Sequence, residues 1–424
     1  MSLAERDSKV IWHPFTPQKG SPLPVGIVKA EGAYLYDEAG KKYIDGISSW
    51  WVNLHGHSHP YIADKVSEQL RTLEHIIFAG FTHEPAVQLA ERLLDLLPGE
   101  QARVFYSDNG STAVEVALKM ALQYWFNKGE NRTKIIVLED SYHGDTFGSM
   151  SLSARSAFTQ AFNDWLFEVE VVSVPVEGRE EEAVNAIQAI VNTGDAAAFI
   201  FEPMVQGVAG MQVMERRALS EMVRVCKDAG VVCIGDEVFT GFGRTGKVFA
   251  SEFLSTRPDI YCLSKGLTGG TMALGVTTCN QTIYDVFVSE DRLKTFFHGH
   301  SFTANPLACT AALASMDLLM RQETFAAIQH ISNRHFDFYT KIYNHPKVKA
   351  IRHKGTILAI EIKNDEETSY FNNISQTAHE YFMDRGVFLR PLGNVLYTLP
   401  PYCISDADLD EIYAALEGFI SLTP

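Results

Sequence analysis

Residues 231–246 read V-V-C-I-G-D-E-V-F-T-G-F-G-R-T-G, and residues 260–271 read I-Y-C-L-S-K-G-L-T-G-G-T. Each segment contains a short apolar run, which is typical of a strand buried inside a sheet. The first run ends in the adjacent carboxylates Asp236 and Glu237, and the second ends just before Lys265. Because charged groups beside buried strands need partners, these two strand ends predict a functional site.

Lys265 is the only charged residue between Asp259 and Asp285. In a crevice at the carboxyl end of a parallel strand, a desolvated lysine loses proton affinity and can attack a carbonyl. A carboxylate such as Asp236 can accept a hydrogen bond from a protonated ring nitrogen. The alternatives are a surface lysine lying over apolar neighbours and an ordinary solvated strand end.

The middle of the chain alternates short apolar runs with helical patterns. This alternation predicts an α/β fold with a mostly parallel sheet and helices on both of its faces. The runs interpreted as strands are 134–138, 196–201, 231–235 and 260–263.

One helix is predicted from apolar residues at three-then-four spacing between Val114 and Trp125. Thr112 and Glu115 have the spacing of a capping box at its start. The turn before it includes Gly110 and Ser111, whose backbone N–H groups could bind an anion such as a phosphate. After strand 134–138, Tyr142 could stack on a planar ring, or simply pack within its loop.

Both ends of the chain have a different pattern. Segments 33–36 and 42–45 predict an antiparallel hairpin, segment 356–362 alternates as a strand, and Ser405 would cap a last helix. We therefore predict a large α/β domain over 60–310 and a smaller α+β domain formed by 1–59 with 311–424.

Charge and hydropathy exclude several classes of protein. The 424 residues carry a formal net charge of −16, which repels nucleic acid. No apolar stretch is long enough to predict a membrane span, and the first fifteen residues lack the apolar core of a signal peptide, so we expect a cytoplasmic protein. The six cysteines have no C-x-x-C spacing. His55, His57 and His59 could in principle bind zinc, but we expect no metal site.

Taken together, the strand ending in Asp236-Glu237, the segment 240–246 and the solitary Lys265 resemble the class III, fold-type I family of pyridoxal-phosphate aminotransferases. The resemblance covers nearly the whole chain. It implies that Lys265, Asp236 and Tyr142 are catalytic, with Lys265 holding the cofactor, Asp236 pairing with its pyridine nitrogen and Tyr142 covering its ring. The cofactor-binding residues that it implies are Gly110, Ser111, Tyr142, Glu202, Asp236, Lys265, His300 and Ser301.

Four segments resemble the branch of this family that aminates 8-amino-7-oxononanoate in biotin synthesis, with S-adenosylmethionine as the amino donor. They are 12–16, 48–51, 119–125 and 389–391 with Tyr397. Two adjacent tryptophans suit a long apolar substrate, and Arg390 suits its terminal carboxylate. The substrate-binding residues implied are Phe15, Trp50, Trp51, Tyr142, Lys265, Gly299, Arg390 and Tyr397.

Two positions depart from the pattern of that branch. Phe15 stands where a tyrosine is common, so a hydroxyl near the substrate is missing. In loop 297–303, His300-Ser301 replaces the usual Pro-Thr, but Ser301 keeps a hydroxyl. The family implies a homodimer with active sites at the subunit interface, in which this loop reaches the partner's phosphate.

Other functions remain open at this stage. They are another class III aminotransferase acting on ω-amino acids or diamines, the same reaction with lysine as the donor, and a catalytically silent scaffold that keeps the fold. A Rossmann dehydrogenase fits less well, since no G-x-G-x-x-G follows a first strand.

Overall fold

The computed structural model describes residues 1–156, 158–364, 372 and 374–423. The strands in these residues are β1 (Ile27–Glu31), β2 (Tyr34–Asp37), β3 (Lys42–Asp45), β4 (Gln101–Ser107), β5 (Lys134–Leu138), β6 (Glu170–Val172), β7 (Ala196–Phe201), β8 (Val205–Gln206), β9 (Gln212–Val213), β10 (Val232–Asp236), β11 (Ile260–Leu263), β12 (Gly275–Asn280), β13 (Val348–Lys354), β14 (Ile357–Ile362), β15 (Val387–Phe388) and β16 (Val395–Thr398).

The helices of the same residues lie between and around these strands. They are α1 (Leu3–Asp7), α2 (Ser48–Trp51), α3 (Pro60–Thr72), α4 (Glu84–Leu96), α5 (Gly110–Lys128), α6 (Phe147–Ser151), α7 (Glu180–Val191), α8 (Arg216–Asp228), α9 (Gln281–Asp285), α10 (Pro306–Leu319), α11 (Gln322–Ile342), α12 (Ile374–Asp384) and α13 (Asp406–Leu422). Short 3₁₀ helices are formed by Gln160–Trp165, Ala250–Phe253, Lys265–Thr268 and Arg292–Lys294.

A seven-stranded sheet in the order β4-β12-β11-β10-β7-β5-β6 forms the centre of the fold. The pairs among β11, β10, β7, β5 and β6 are parallel, and only β12 runs antiparallel to its two neighbours. The predicted α/β class is therefore confirmed. Three of the four predicted strands match to the residue; the fourth is shifted by one, because Asp236 still pairs with Cys262 in the ladder.

Helices cover both faces of this sheet, as predicted. Along β7, Phe199 and Phe201 belong to one buried cluster, which includes side chains of α4, α7 and α8. Ala198 and Ile200 belong to a second cluster, which includes the apolar stripe of α5. Since successive side chains of a strand point to opposite faces, this division shows that both faces are buried.

Helix α5 begins earlier than its sequence pattern suggests, and the predicted Thr112/Glu115 capping box is wrong. Asn109 is the N-cap: its side-chain oxygen accepts from the N–H of Thr112 at 2.9 Å, and the Thr112 hydroxyl accepts from the N–H of Asn109 at 3.1 Å. Glu115 accepts instead from the N–H of Gly148 at 2.8 Å. Thr112 and Glu115 therefore lie within the helix, as its third and sixth residues, and Gly110 and Ser111 become the first two helical residues.

Strands from the two ends of the chain form two smaller sheets, of which the sheet β1-β2-β3-β15 joins both ends. β2 and β3 form the predicted hairpin, and β15 pairs in parallel with β3 through Val387 and Ile44. β13, β14 and β16 form the second sheet. The Ser405 hydroxyl accepts from the N–H of Asp408 at 3.2 Å, so it caps α13 as predicted. The division at residues 60 and 310 stays a prediction.

None of the helices in the described part of the chain combines the length and apolar character needed to cross a membrane.

Candidate active site

A cavity of about 540 Å³ lies at the edge of the central sheet where its parallel strands end. Asp236 ends β10, and Lys265 follows β11, the adjacent strand. The carboxyl ends of parallel strands meet at one edge, which is why residues distant in sequence converge there. Six predicted cofactor residues line this cavity: Gly110, Ser111, Tyr142, Glu202, Asp236 and Lys265.

Lys265 is a half-buried residue of the cavity wall. Its Nζ atom lies 4.4 Å from the ring centroid of Trp51 and 5.7 Å from that of Phe239. Burial lowers the pKa of Lys265 to about 8, although the carboxylates of Asp236 and Glu202 act in the opposite direction. An amine with this pKa is neutral, and therefore nucleophilic, in a far larger fraction of molecules than a solvated lysine.

Asp236 is buried and held from two sides. Its Oδ1 accepts from the N–H of Val238 at 3.1 Å, and its Oδ2 lies 2.7 Å from Nδ1 of His143. His143 is also buried, and its Nε2 atom has no partner among the described residues. No role was predicted for His143 from the sequence. Its position just after β5, two strands away from β10, is the signal that could have identified it.

The loop after β5 is tied to the start of α5. The Tyr142 hydroxyl donates to Oδ2 of Asp145 at 2.7 Å, and the N–H of Asp145 donates to the Ser111 hydroxyl at 3.1 Å. Burial raises the pKa of Tyr142, and the charge of Asp145 reinforces this effect. Asp145 also lines the cavity, although the sequence analysis did not single it out. These contacts place the aromatic ring of Tyr142 beside the N-terminus of α5.

Glu202 follows β7 and contributes a second buried carboxyl group to the cavity. Its Oε1 accepts from the N–H of Gly207 at 3.0 Å, and its Oε2 has no partner among the described residues. Burial raises the pKa of Glu202 to about 7, with His143 and Lys265 opposing and Asp236 reinforcing the shift. The group is therefore poised to exist in both protonation states near neutral pH.

Glu237, the second carboxylate of the motif, serves the scaffold. It accepts from the Thr240 hydroxyl at 2.7 Å and from the backbone N–H groups of Ala250 and Ser251 at 3.0 and 2.6 Å. These hydrogen bonds stabilise the start of the 3₁₀ helix Ala250–Phe253. Glu237 therefore stabilises the fold, whereas Asp236 lines the cavity.

Arg244 is buried, and its described hydrogen bonds go to main-chain carbonyls. Its guanidinium donates to Asn53 at 3.0 Å, to Pro400 at 3.1 Å and to Trp51 at 3.4 Å. This geometry fits a role of Arg244 in ordering the turn at the site, rather than an ion pair with a carboxylate.

Phe15, Trp50 and Trp51 form an aromatic wall of the cavity. The rings of Phe15 and Trp50 pack edge to face with centroids 5.5 Å apart, and Arg390 Cζ lies 5.0 Å from the Trp50 ring centroid. The Trp51 Nε1–H donates to the Tyr397 hydroxyl at 3.2 Å. Arg390 and Tyr397 are outside the described cavity lining and contact the site through the two tryptophans.

The two tryptophans belong to α2, which is a left-handed turn. Ser48, Ser49, Trp50 and Trp51 have φ values of 52°, 44°, 70° and 74°. For residues with a side chain, this conformation costs roughly 1–2 kcal/mol each relative to the right-handed one. Strain of this kind persists only where surrounding contacts hold it, and it clusters at functional sites.

Loop 297–303 lies outside the cavity of its own chain. Gly299, His300 and Ser301 do not contribute to the described lining, and Phe297 is 70% exposed. Lys119 on α5 fixes the loop by donating to the carbonyl of Phe297 at 3.0 Å. The structure of one chain therefore does not bring these three predicted residues to the other site residues.

The three histidines of segment 55–59 have different contacts, although the rings of His55 and His59 pack edge to face with centroids 6.3 Å apart. His55 Nε2 lies 3.0 Å from the Ser315 hydroxyl, and His57 Nε2 lies 2.8 Å from Oδ2 of Asp45. In the described part of the chain, no group of three or more His, Cys, Asp or Glu side chains is arranged to hold a metal ion. All six cysteines are free.

Comparison with known proteins identifies a family that covers nearly the whole chain. Residues 15–420 match the aminotransferase class-III family. The chain is 47% identical to the adenosylmethionine-8-amino-7-oxononanoate aminotransferase of Synechococcus elongatus, over 97% of this chain and 98% of that protein. It is 37% identical to the enzyme of the same name from Geobacter sulfurreducens, over 99% and 97% of the two chains.

Solved structures show the same similarity in three dimensions. The adenosylmethionine-8-amino-7-oxononanoate aminotransferase of Methanocaldococcus jannaschii superimposes with a TM-score of 0.94 at 34% identity, over 99% of this chain and 98% of that one. An omega transaminase from Pseudomonas jessenii gives a TM-score of 0.92 at 25% identity, over 99% of both chains. The chain belongs to the aminotransferase class-III family.

Proposed function

We propose that this protein transfers the amino group of S-adenosylmethionine to 8-amino-7-oxononanoate, which yields 7,8-diaminononanoate, with pyridoxal phosphate as cofactor. The observation that carries the proposal is that one cavity is lined by the Lys265 amine, by the buried Asp236 carboxylate and by the aromatic wall of Phe15, Trp50 and Trp51. The names of the relatives from Synechococcus elongatus and Geobacter sulfurreducens support this choice of substrates.

The residues present fit pyridoxal phosphate. The cavity holds a buried carboxylate for a ring nitrogen, an aromatic side chain for a ring face and a helix N-terminus for a phosphate: Asp236, Tyr142 and α5. Two buried polar atoms that face this region lack protein partners, His143 Nε2 and Glu202 Oε2. When bound, the cofactor supplies an aldehyde that captures amines and a ring that accepts the electrons released at the substrate's reacting carbon.

Lys265 would hold the cofactor and then move the proton at the substrate's reacting carbon through Nζ. A pKa of about 8 suits this task, because the amine can release and take up a proton near neutral pH. Asp236 would accept a hydrogen bond from the ring nitrogen and keep it protonated, while His143 holds the Asp236 carboxylate from behind. Tyr142 would cover the ring, and Glu202 would support the site near Asp236.

The first N–H groups of α5, at Gly110 and Ser111, would bind the phosphate together with the Ser111 hydroxyl. We further propose a homodimer in which Gly299, His300 and Ser301 of one protomer reach the site of its partner. The exposed apolar side chains of this loop, Phe297 and Phe302, support the assignment of this surface to an interface.

Trp50, Trp51 and Phe15 would contact the apolar chain of the oxo acid, with Tyr397 fixing the indole of Trp51. Arg390, which lies over Trp50, would bind the carboxylate at the far end of that chain. We also propose that the protein works in the cytoplasm, and that its large and small domains divide at about residues 60 and 310.

An absorbance titration of the purified protein tests the function. The protein is first loaded with pyridoxal phosphate. S-adenosylmethionine, lysine and the oxo acid are then added in turn, and diaminononanoate is measured. A spectral change with S-adenosylmethionine that the oxo acid reverses is expected. A response only to lysine would identify lysine as the amino donor. A response only to diamines or ω-amino acids would favour the other class III activity. A protein that stays colourless contradicts the proposal.

A further inference from the structure

We propose that Asp45 and His57 are positioning residues for the amine acceptor. Together they hold α2 in its left-handed turn and thereby set the positions of Trp50 and Trp51 in the cavity wall. The inference about the acceptor rests on the proposed function, whereas the inference about the turn rests on geometry alone.

Asp45 is fully buried at the end of β3 and faces the start of the turn. Its Oδ1 accepts from the N–H of Ser49 at 2.9 Å and from the N–H of Ile47 at 3.3 Å. Its Oδ2 accepts from the Ser49 hydroxyl at 2.8 Å. The carboxylate therefore caps the turn and satisfies N–H groups that the short helix itself leaves free.

His57 holds this carboxylate in place. The side-chain amide of Asn53 donates to His57 Nδ1 at 3.2 Å, and its oxygen accepts from the N–H of Gly56 at 2.8 Å, which fixes the amide orientation. Because Nδ1 accepts, the ring proton is on Nε2, and this group donates to Oδ2 of Asp45 at 2.8 Å. His57 is anchored in turn through two main-chain hydrogen bonds with Gly32, of 2.7 and 3.1 Å.

The C-terminal residue of the turn, Trp51, lies next to Lys265. The N–H of Trp51 donates to the carbonyl of Ile47 at 2.9 Å, and the Ser48 hydroxyl donates to the carbonyl of Leu399 at 2.8 Å. This geometry carries the Trp51 ring to 4.4 Å from Lys265 Nζ. In a right-handed turn the side chains would leave the backbone in other directions, so the handedness that Asp45 stabilises also decides where both indoles lie.

Asp45→Asn tests the role of the carboxylate. Asparagine has only one acceptor oxygen, so its NH2 group would face a hydrogen-bond donor on one side of the cluster. The left-handed turn should therefore be less stable. The matched control is Asp408→Asn, which alters another buried aspartate that accepts from the Tyr34 hydroxyl at 2.8 Å, away from the turn. Ser49→Gly in the Asp45→Asn background is the rescue, because glycine adopts positive φ readily.

Two measurements are made on the cofactor-loaded enzyme. In Asp45→Asn, amide hydrogen exchange of peptides covering residues 46–54 should accelerate about tenfold or more, and KM for 8-amino-7-oxononanoate should rise about tenfold. The half-reaction with the donor should change less. Asp408→Asn should lower the melting temperature without either effect, and Ser49→Gly should recover part of both.

Unchanged exchange over residues 46–54 in Asp45→Asn, or exchange matching that of Asp408→Asn, overturns the proposal. Accelerated exchange with an unaltered KM also overturns the proposal, because Asp45 would then stabilise the turn without affecting the binding of the acceptor. A wild-type enzyme that does not use the oxo acid defeats the proposed function instead. In that case hydrogen exchange still decides whether Asp45 holds the turn.

Discussion

Nδ1 of His143 lies 2.7 Å from Oδ2 of Asp236, and both side chains are buried. His143 follows β5 and Asp236 ends β10, and these two strands are separated in the sheet by β7. The carboxylate that the sequence motif marks is thus oriented by a residue almost a hundred positions away. Its other oxygen is held by the backbone of Val238, so its direction is fixed before any ligand arrives.

The first prediction concerns this pair. In His143→Asn the amide nitrogen can replace Nδ1 as the donor to Asp236, whereas in His143→Gln it lies nearer the position of Nε2. We expect kcat to fall about 10–100-fold in His143→Gln and clearly less in His143→Asn, as for other residues that orient a reacting group. Steady-state kinetics and the cofactor dissociation constant check this. Equal losses in both variants would contradict the orienting role.

The second prediction follows from the pKa of Lys265, which burial lowers to about 8. The neutral amine is the reactive form, so the rate of pyridoxal phosphate capture by cofactor-free protein should rise with pH and reach half its maximum near 8. Rapid-mixing absorbance measures the rate, and borohydride reduction followed by peptide mapping locates the modified residue. Lys265→Ala should abolish the modification, and Lys341→Ala, which alters an exposed lysine, should not. A half-maximum near the ordinary value of 10.5 would contradict a pKa lowered by burial.

The third prediction concerns Glu202, whose pKa burial raises from 4.5 to about 7. The stability that its neutral carboxyl contributes is complete below about 4.5 and is lost as the pH rises through 7. Fully developed, this loss is about 3 kcal/mol, at roughly 1.4 kcal/mol per pH unit. Glu202→Gln removes the titration, so cofactor-free Glu202→Gln should gain stability relative to wild type between about pH 5 and pH 8. Thermal unfolding curves at both pH values measure it, and a constant difference would refute the assignment.

The fourth prediction separates the two substrates. Arg390 lies over the Trp50 ring, and we propose that it binds the carboxylate of the oxo acid. Arg390→Ala should raise KM for 8-amino-7-oxononanoate about 10–100-fold, because a charge-assisted pair is lost. Arg390→Lys should lie in between, since lysine lacks the planar fork. In Arg390→Ala, the half-reaction with the donor should be nearly unchanged. The control is Arg385→Ala, which alters an exposed arginine and should leave all kinetic constants nearly unchanged. An equal loss with the donor would indicate a general effect on the site.

Much of the fold could be predicted because its central strands are apolar throughout. Segments 134–138, 196–201 and 260–263 were correct to the residue, since a strand buried on both faces leaves a continuous local signal. The cap of α5 was predicted one turn too late, because the pair Asn109/Thr112 and the pair Thr112/Glu115 have the same three-residue spacing. The reciprocal hydrogen bonds between Asn109 and Thr112, together with the contact of Glu115 with Gly148, show which pair forms the cap.

The sequence by itself singled out Lys265 and Asp236 as candidate site residues, because charged groups beside apolar strands need a compensating environment. It could not reveal that His143 aligns Asp236, or that Asp45 and His57 hold four consecutive residues at positive φ. Those relationships join segments that are distant in the chain or depend on backbone handedness, and neither leaves a periodic pattern in the residue order. Tertiary structure decided them, because only packing of the strands and of the 45–57 segment brings the donors and acceptors within hydrogen-bonding distance.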